Sequence, residues 1–232
     1  MRAAGIRKLL GISGMWPKDA ILFREKGNHI NNQVLMKEAC AMKNLPLPPF
    51  NRALLPTDVL EFVRDNNFPV IIKPTLSCAA AGIKILNNKE ELETYLENDF
   101  YAGINEQTLD LPGNMIIEKF ISAPMYHVNG FAKNGKIKYC WPFAYKSNNL
   151  DFAGKEGVSY GNVSITSQDS RFTHLIASTQ NILNCLQCPE NLVFHCELFQ
   201  GVTEREYLLC EIAARKPGKL LFYRRCFHLL AN

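Results

Sequence analysis

The chain has 232 residues, 47% hydrophobic and 21% charged, the profile of an ordinary soluble globular protein with room for one good-sized domain or two lobes. A net charge of +4 without a run of Lys or Arg argues against nucleic acid as the main partner, and no apolar run is long enough to span a bilayer. Eight cysteines, mostly inside apolar segments, read as reduced core thiols, and the start Met1-Arg2-Ala3-Ala4-Gly5 lacks a signal peptide's apolar core, so the protein is expected in the cytoplasm.

In chain order, residues 3–10 and 33–43 read as helices, separated by the polar turn Gly27-Asn28-His29-Ile30-Asn31-Asn32. Leu45-Pro46-Leu47-Pro48-Pro49-Phe50 is extended, because each proline restricts the residue before it. A helix is expected over 58–66, then a buried strand over 68–73, a loop of small residues over 75–82 and a short strand over 83–86. Asn88 caps the helix expected over 89–98. Leu111-Pro112-Gly113-Asn114 marks a boundary between lobes. Strands follow over 115–121, 125–133 and 136–145, the last two joined by Asn134-Gly135, the clearest hairpin signal in the chain. Residues 148–166 are polar and expected to be mobile, and 169–186 form an amphipathic helix.

The organising stretch is 192–219. Both halves alternate as strands do, with Gly201-Val202-Thr203-Glu204-Arg205-Glu206 as the break. Val193, His195, Glu197 and Phe199 share one face; Tyr207, Leu209, Glu211, Ala213 and Arg215 are expected to share one face of the second strand. A hairpin centred on Glu204 sets Glu197 opposite Glu211, with Cβ atoms about 5 Å apart, where bare like charges destabilise a sheet. A cation between them resolves the conflict, and oxygen ligands suit Mg²⁺. The other reading is a solvent-facing hairpin whose glutamates never meet. Zinc on Cys185, Cys188, His195 and Cys196 is disfavoured, because adjacent His195 and Cys196 point to opposite faces of a strand. His127 and His195 sit in strand-like runs and are expected to be packing residues.

Several segments, in order, resemble the ATP-grasp superfamily, and within it the carboxylate–amine (amino-acid) ligases. These are Phe68-Pro69-Val70-Ile71-Ile72-Lys73-Pro74 with its small-residue loop, Ile116-Ile117-Glu118-Lys119-Phe120-Ile121, Tyr126-His127-Val128-Asn129-Gly130, and the Glu197/Glu211/Arg215 hairpin. The run Phe23-Arg24-Glu25-Lys26 and the stretch from Met36-Lys37 to Pro48 resemble what precedes the small lobe. The resemblance covers roughly residues 3–218 and implies an α+β fold, two α+β lobes gripping a nucleotide between them. It divides the chain into a helical lead-in (1–44), a small lobe (45–113), a large lobe with the metal hairpin (114–219) and an atypical tail (220–232).

By the same resemblance, Lys73 and Lys26 contact ATP, with Gln33 as the rival for the earlier position. Glu118, Lys119, Phe120 and Ile121 form the hinge at the adenine edge, where Lys119 and Ile121 offer main-chain contacts and Phe120 packs. Glu197 and Glu211 hold Mg²⁺, or Mn²⁺, on the phosphates, and Arg215 stabilises the transferring phosphoryl group. The implied partners are ATP and small carboxylate and amine substrates. The implied reaction is an ADP-forming ligation through an acyl phosphate, with biotin-carboxylase-like or carbamoyl-phosphate-synthase-like chemistry as the nearest enzymatic alternative. Three departures stand out: the loop 77–82 keeps one glycine, Met125 stands where many relatives carry glutamate, and Ala213 stands where many carry asparagine. The ends of the chain do not match the family's domains, so the competing expectation is an ATP-binding remnant without ligase activity.

Overall fold

Helix α1 (Gln33–Ala41) starts where the Asn32 side chain accepts from the Val34 and Leu35 N–H groups, satisfying two donors of the first turn. The computed structural model describes residues 32–75, 82–101, 115–146, 161–186 and 188–215. The expected helix over 3–10, Lys26, most of the small-residue loop and the tail 220–232 lie outside them. Gln33, Met36, Lys37 and Cys40 recur at helical spacing and are all buried, so α1 has a packed face with two polar residues inside it.

The proline-rich segment runs extended into β1 (Phe50–Ala53), a strand that the sequence pattern conceals. Helix α2 (Pro56–Asn66) follows, its entry fixed by Asp58, whose carboxylate accepts from the Leu54 and Leu55 N–H groups at 2.9 Å each. Strand β2 (Val70–Pro74) is buried at every position. After β3 (Lys84–Leu86), Asn88 caps α3 (Lys89–Asn98) by accepting from the Glu91 N–H. Strand β4 (Met115–Lys119) lies between β1 and β2, giving an antiparallel sheet in the order β1-β4-β2-β3. Val59 and Phe62 of α2 and Leu92 and Tyr95 of α3 share a core with Val70, Ile72 and Ile117 of this sheet.

The boundary expected at 113/114 lies outside the described residues. Ile116 and Ile117 are both fully buried, as a central strand requires, and β4 pairs within the first sheet.

The second sheet takes the order β7-β6-β5-β8-β9, antiparallel throughout, from β5 (Met125–Lys133), β6 (Lys136–Tyr145), β7 (Asn162–Ser164), β8 (Asn191–Gln200) and β9 (Tyr207–Ala213). Asn134 and Gly135 turn β5 into β6 with φ of 50° and 72°, the left-handed pair that a two-residue hairpin needs. Strand β7 falls within the stretch expected to be mobile, and its ladder with Phe143, Ala144 and Tyr145 shows ordered pairing there. Helix α4 (Ser170–Cys185), capped by Asp169, packs Leu175, Ile182 and Leu183 onto one face of this sheet. Met36 and Cys40 of α1 join the same core. No helix among the described residues is long and apolar enough to cross a membrane.

Candidate functional site

Strands β8 and β9 start in regular register, with Gln200 opposite Tyr207, Phe199 opposite Leu208 and Leu198 opposite Leu209. The register then shifts by one, and Glu197 faces Glu211. The shift is a β-bulge, in which one strand spends an extra residue and re-aims the side chains beyond it. Strict alternation would set Tyr207 and Leu209 on the same face as Glu211. Instead both join the core beside Leu198, and Ile212 replaces them on that face past the bulge. The opposed glutamates are as expected; the shared face of Tyr207, Leu209 and Glu211 is not. Two large side chains gain burial without carrying Glu211 into the core with them.

The face bearing Glu197 is densely hydrogen-bonded. Tyr145 donates its hydroxyl to Glu197 Oε1, and His195 Nε2 lies 3.0 Å from the same oxygen. His195 Nδ1 is 2.6 Å from Asn129 Oδ1, and Asn129 Nδ2 lies 2.9 Å from His127 Nδ1. Both histidines are buried in the strands with side-chain partners, as satisfied packing residues are; His195 in addition is fixed by Asn129 and holds the carboxylate, while His127 stacks on Phe143 with ring centroids 5.0 Å apart.

Burial, the largest influence, works to raise the Glu197 carboxyl, but the hydrogen bond and charge of His195 and the Tyr145 hydroxyl overcome it and hold Glu197 below the ordinary carboxylate range. Burial and the facing Glu197 push Glu211 up. Two opposed carboxylates forced apart in this way make a receptive seat for a cation, which lowers the energy of both anions.

Burial and the neighbouring His195 lower His127 from 6.5 to about 4. Between those values the unfolded chain binds the extra proton, so stability is lost as pH falls. That window is expected to remove about 3 kcal/mol from the ligand-free protein, and His127→Phe should flatten this part of the profile. Urea midpoints measured from pH 7 to pH 4 check it; equal slopes in both proteins would refute it.

On the first sheet, Glu118 is buried between two lysines. Lys73 Nζ lies 3.1 Å from its Oε1 and Lys37 Nζ 3.3 Å from its Oε2. Burial raises a lone carboxyl, yet the two ammonium groups hold Glu118 below the ordinary range. Burial likewise opposes the Lys73 charge, and Glu118 overcomes it, so Lys73 sits above its usual value. In Lys37 burial prevails over Glu118 and the value is lowered.

Helix α1 brings the two sheets together. Gln33 donates its backbone N–H to Thr75 O at 3.1 Å, just past β2, and its side-chain Nε2 to Glu211 Oε2 at 2.8 Å on β9. One turn later, Lys37 Nζ reaches Glu118 on β4 and donates to Leu209 O on β9 at 3.1 Å. Lys73 is near enough for its charge to act on Glu211.

The remaining sequence candidates are dispersed around this centre. Lys119 donates its N–H to Pro49 O and Phe120 donates to Pro69 O, so two donors of the expected hinge are used by the sheet margin. The Lys119 ammonium donates to Asn67 O and Phe68 O, and Ile121 is half-buried. Arg215 is exposed two residues past β9, with its charge opposing the rise in Glu211. Among the described residues no three His, Cys, Asp or Glu side chains converge as a complete metal cage, so a cation at Glu197 and Glu211 would take further oxygens from its ligand and from water. The zinc alternative has no support in the placement: Cys196 lies in the core, while Cys185 and Cys188 donate to Asn181 O and Leu183 O.

Sequence reasoning missed Lys37 and the His195–Asn129 support. Lys37 carried a signal: in QVLMKEACA it occupies the centre of the stripe formed by Gln33, Met36 and Cys40, where a solvated lysine has no place.

No family model matches the chain, and no curated protein sequence does. Solved structures do. An L-amino acid ligase from Bacillus licheniformis superposes with a TM-score of 0.62 at 14% identity, over 93% of this chain and 46% of that one. A D-alanine–D-alanine ligase from Bacillus anthracis gives 0.60 at 17%, over 91% and 64%. Carboxyaminoimidazole ribonucleotide synthase from Aspergillus clavatus, complexed with ATP, gives 0.60 at 15%, over 82% and 46%. The chain thus spans between about half and just under two thirds of these proteins.

Proposed function

From the ATP-grasp fold that this chain shares with those ligases, we propose that it is an ATP-dependent, ADP-forming ligase joining a carboxylate to an amine. The observation that carries the reading is the opposed pair Glu197 and Glu211 on the second sheet, with the buried Lys73 ammonium of the first sheet close enough for its charge to act on Glu211. A cation-binding carboxylate ladder beside a lysine suits a metal-bound polyphosphate, and such chemistry needs positioning and charge neutralisation above all.

In the proposed reaction a substrate carboxylate takes the γ-phosphoryl group of ATP, giving ADP and an acyl phosphate, from which an amine displaces inorganic phosphate. Glu197 and Glu211 would hold Mg²⁺, whose chemistry is to neutralise and clamp the phosphate oxygens. Lys73 supplies a fixed positive charge from the first sheet. Arg215 follows β9 on the side of Glu211, where a guanidinium fork suits a transferring phosphoryl group. The hinge 118–121 would take the adenine edge through the Lys119 carbonyl and the Ile121 main chain, since the Lys119 N–H already serves Pro49. Lys26 belongs to the proposal as a further ATP contact.

A second reading, ATP binding without ligation, is favoured by Ala213, which pairs with His195 two residues past Glu211 and offers a metal nothing. Calorimetry with ATP, with and without Mg²⁺, tests the binding step, with Lys73→Ala expected to weaken it at least tenfold. Phosphate release on adding pairs of amino acids then separates ligase from binder. A folded chain that binds no ATP would sink both readings.

A further inference from the structure

Buried lysines are rare and need a stated reason, because an ammonium without full compensation is costly inside a protein. Lys37 is 0% exposed, and its Nζ spans three elements: it stands on α1, pairs with Glu118 on β4 and donates to Leu209 O on β9. Glu118 is thereby shared. One oxygen faces Lys37 and the other faces Lys73, and the Lys73 side of the carboxylate, Oε1, makes no well-directed hydrogen bond. Two ammonium groups against one carboxylate leave this buried group with one positive charge in excess, and Lys73 is the member with some exposure, 5% against 0%.

The geometry points to Lys37 as a positioning residue of the anion site: by taking half of Glu118 it leaves the Lys73 ammonium available to a phosphate-bearing ligand, and by holding the Leu209 carbonyl it ties that lysine to the carboxylate hairpin. The inference rests on the proposed nucleotide site and assigns to it a residue that touches neither phosphate nor metal.

Alone with Lys73, Glu118 would close the ion pair on it, and the group would be neutral. An incoming phosphate would then compete with a buried carboxylate for one ammonium. With Lys37 present, Glu118 orients Lys73 without consuming its charge. The Leu209 contact adds a second effect. Leu209 is the last regularly paired residue before the bulge, two residues ahead of Glu211, so Lys37 fixes the strand where the carboxylate is aimed.

The test is a charge-compensation series with inorganic tripolyphosphate as the probe, followed by calorimetry at low salt, with folding checked by circular dichroism. Wild type carries an excess of +1 in the group, Lys37→Met carries 0, and Lys37→Met/Glu118→Gln returns to +1. Lys37→Met is expected to bind the probe about tenfold more weakly, the scale of one nearby charge in a partly screened site. The double variant should recover to within a few-fold of wild type, although it does not restore the Leu209 contact. A merely structural role predicts the opposite, since the double variant loses more native contacts than the single one. A folded double variant no better than Lys37→Met overturns the inference while leaving the nucleotide site intact. Should Lys37→Met fail to fold, the double variant against wild type decides alone, and its loss of binding counts against the inference. Absence of probe and ATP binding in wild type overturns the reading beneath it.

Discussion

The double substitution Glu197→Gln/Glu211→Gln is expected to weaken Mg²⁺-dependent ATP binding by more than about 100-fold, because both proposed metal carboxylates become neutral amides. The fold should survive the change. Glutamine keeps a carbonyl oxygen for the Tyr145 hydroxyl and for His195, and opposed amides lack the repulsion of opposed carboxylates. Thermal midpoints of the ligand-free proteins should stay close, the support lost with the Glu197 charge being offset by relief at Glu211, while calorimetric titrations with Mg²⁺ and ATP diverge. Equal affinities in the two proteins would remove Glu197 and Glu211 from the metal site. Metal-free ATP binding serves as an internal control: it should not weaken, because two fewer carboxylates lessen the repulsion on the phosphates.

Glu118→Ala carries the largest expected loss of stability. It leaves the Lys37 and Lys73 ammonium groups buried with no carboxylate, and unpairing buried charges in this way costs about 3–5 kcal/mol. Urea denaturation at pH 7 measures it, and a loss below about 1 kcal/mol would show that the lysines find other compensation. The pH dependence has a definite sign. The two lysines hold Glu118 below its ordinary value of 4.5, so its contribution is fully present above that value and lost as pH falls through the folded value. Wild type and variant should therefore converge only in acid, as pH falls from the ordinary carboxylate value through the lowered folded one.

Much of this architecture was legible because the signals were local. Asn134-Gly135 specified its turn through backbone conformation alone, and Asn88 specified its helix through one side-chain acceptor. Glu197 and Glu211 were legible as a facing pair from counting along two alternating strands. The same counting failed on their neighbours: a bulge adds one residue to one strand, and no periodicity announces where a strand will break step. Strands β1 and β7 were hidden because four and three residues give alternation too little length to show, and each is secured by its partner. Residues at the junction of the sheets were the hardest to read. Lys37 draws its meaning from Glu118, 81 positions away, and from Leu209, 172 positions away. Those distances cross both sheets, and only the folded chain brings the three together.

The last strand of the second sheet also has a bearing on how the protein meets other chains. An edge strand ordinarily presents N–H and C=O groups that invite a foreign strand to dock and extend the sheet. At Leu209, in the middle of β9, that invitation is withdrawn on both counts: its N–H goes to Pro46 O at 3.2 Å and its C=O accepts from Lys37. An incoming strand would have to displace a proline-rich segment and leave a buried ammonium short of an acceptor. The residues that assemble the proposed site thus also protect the molecule from uncontrolled sheet growth at this margin.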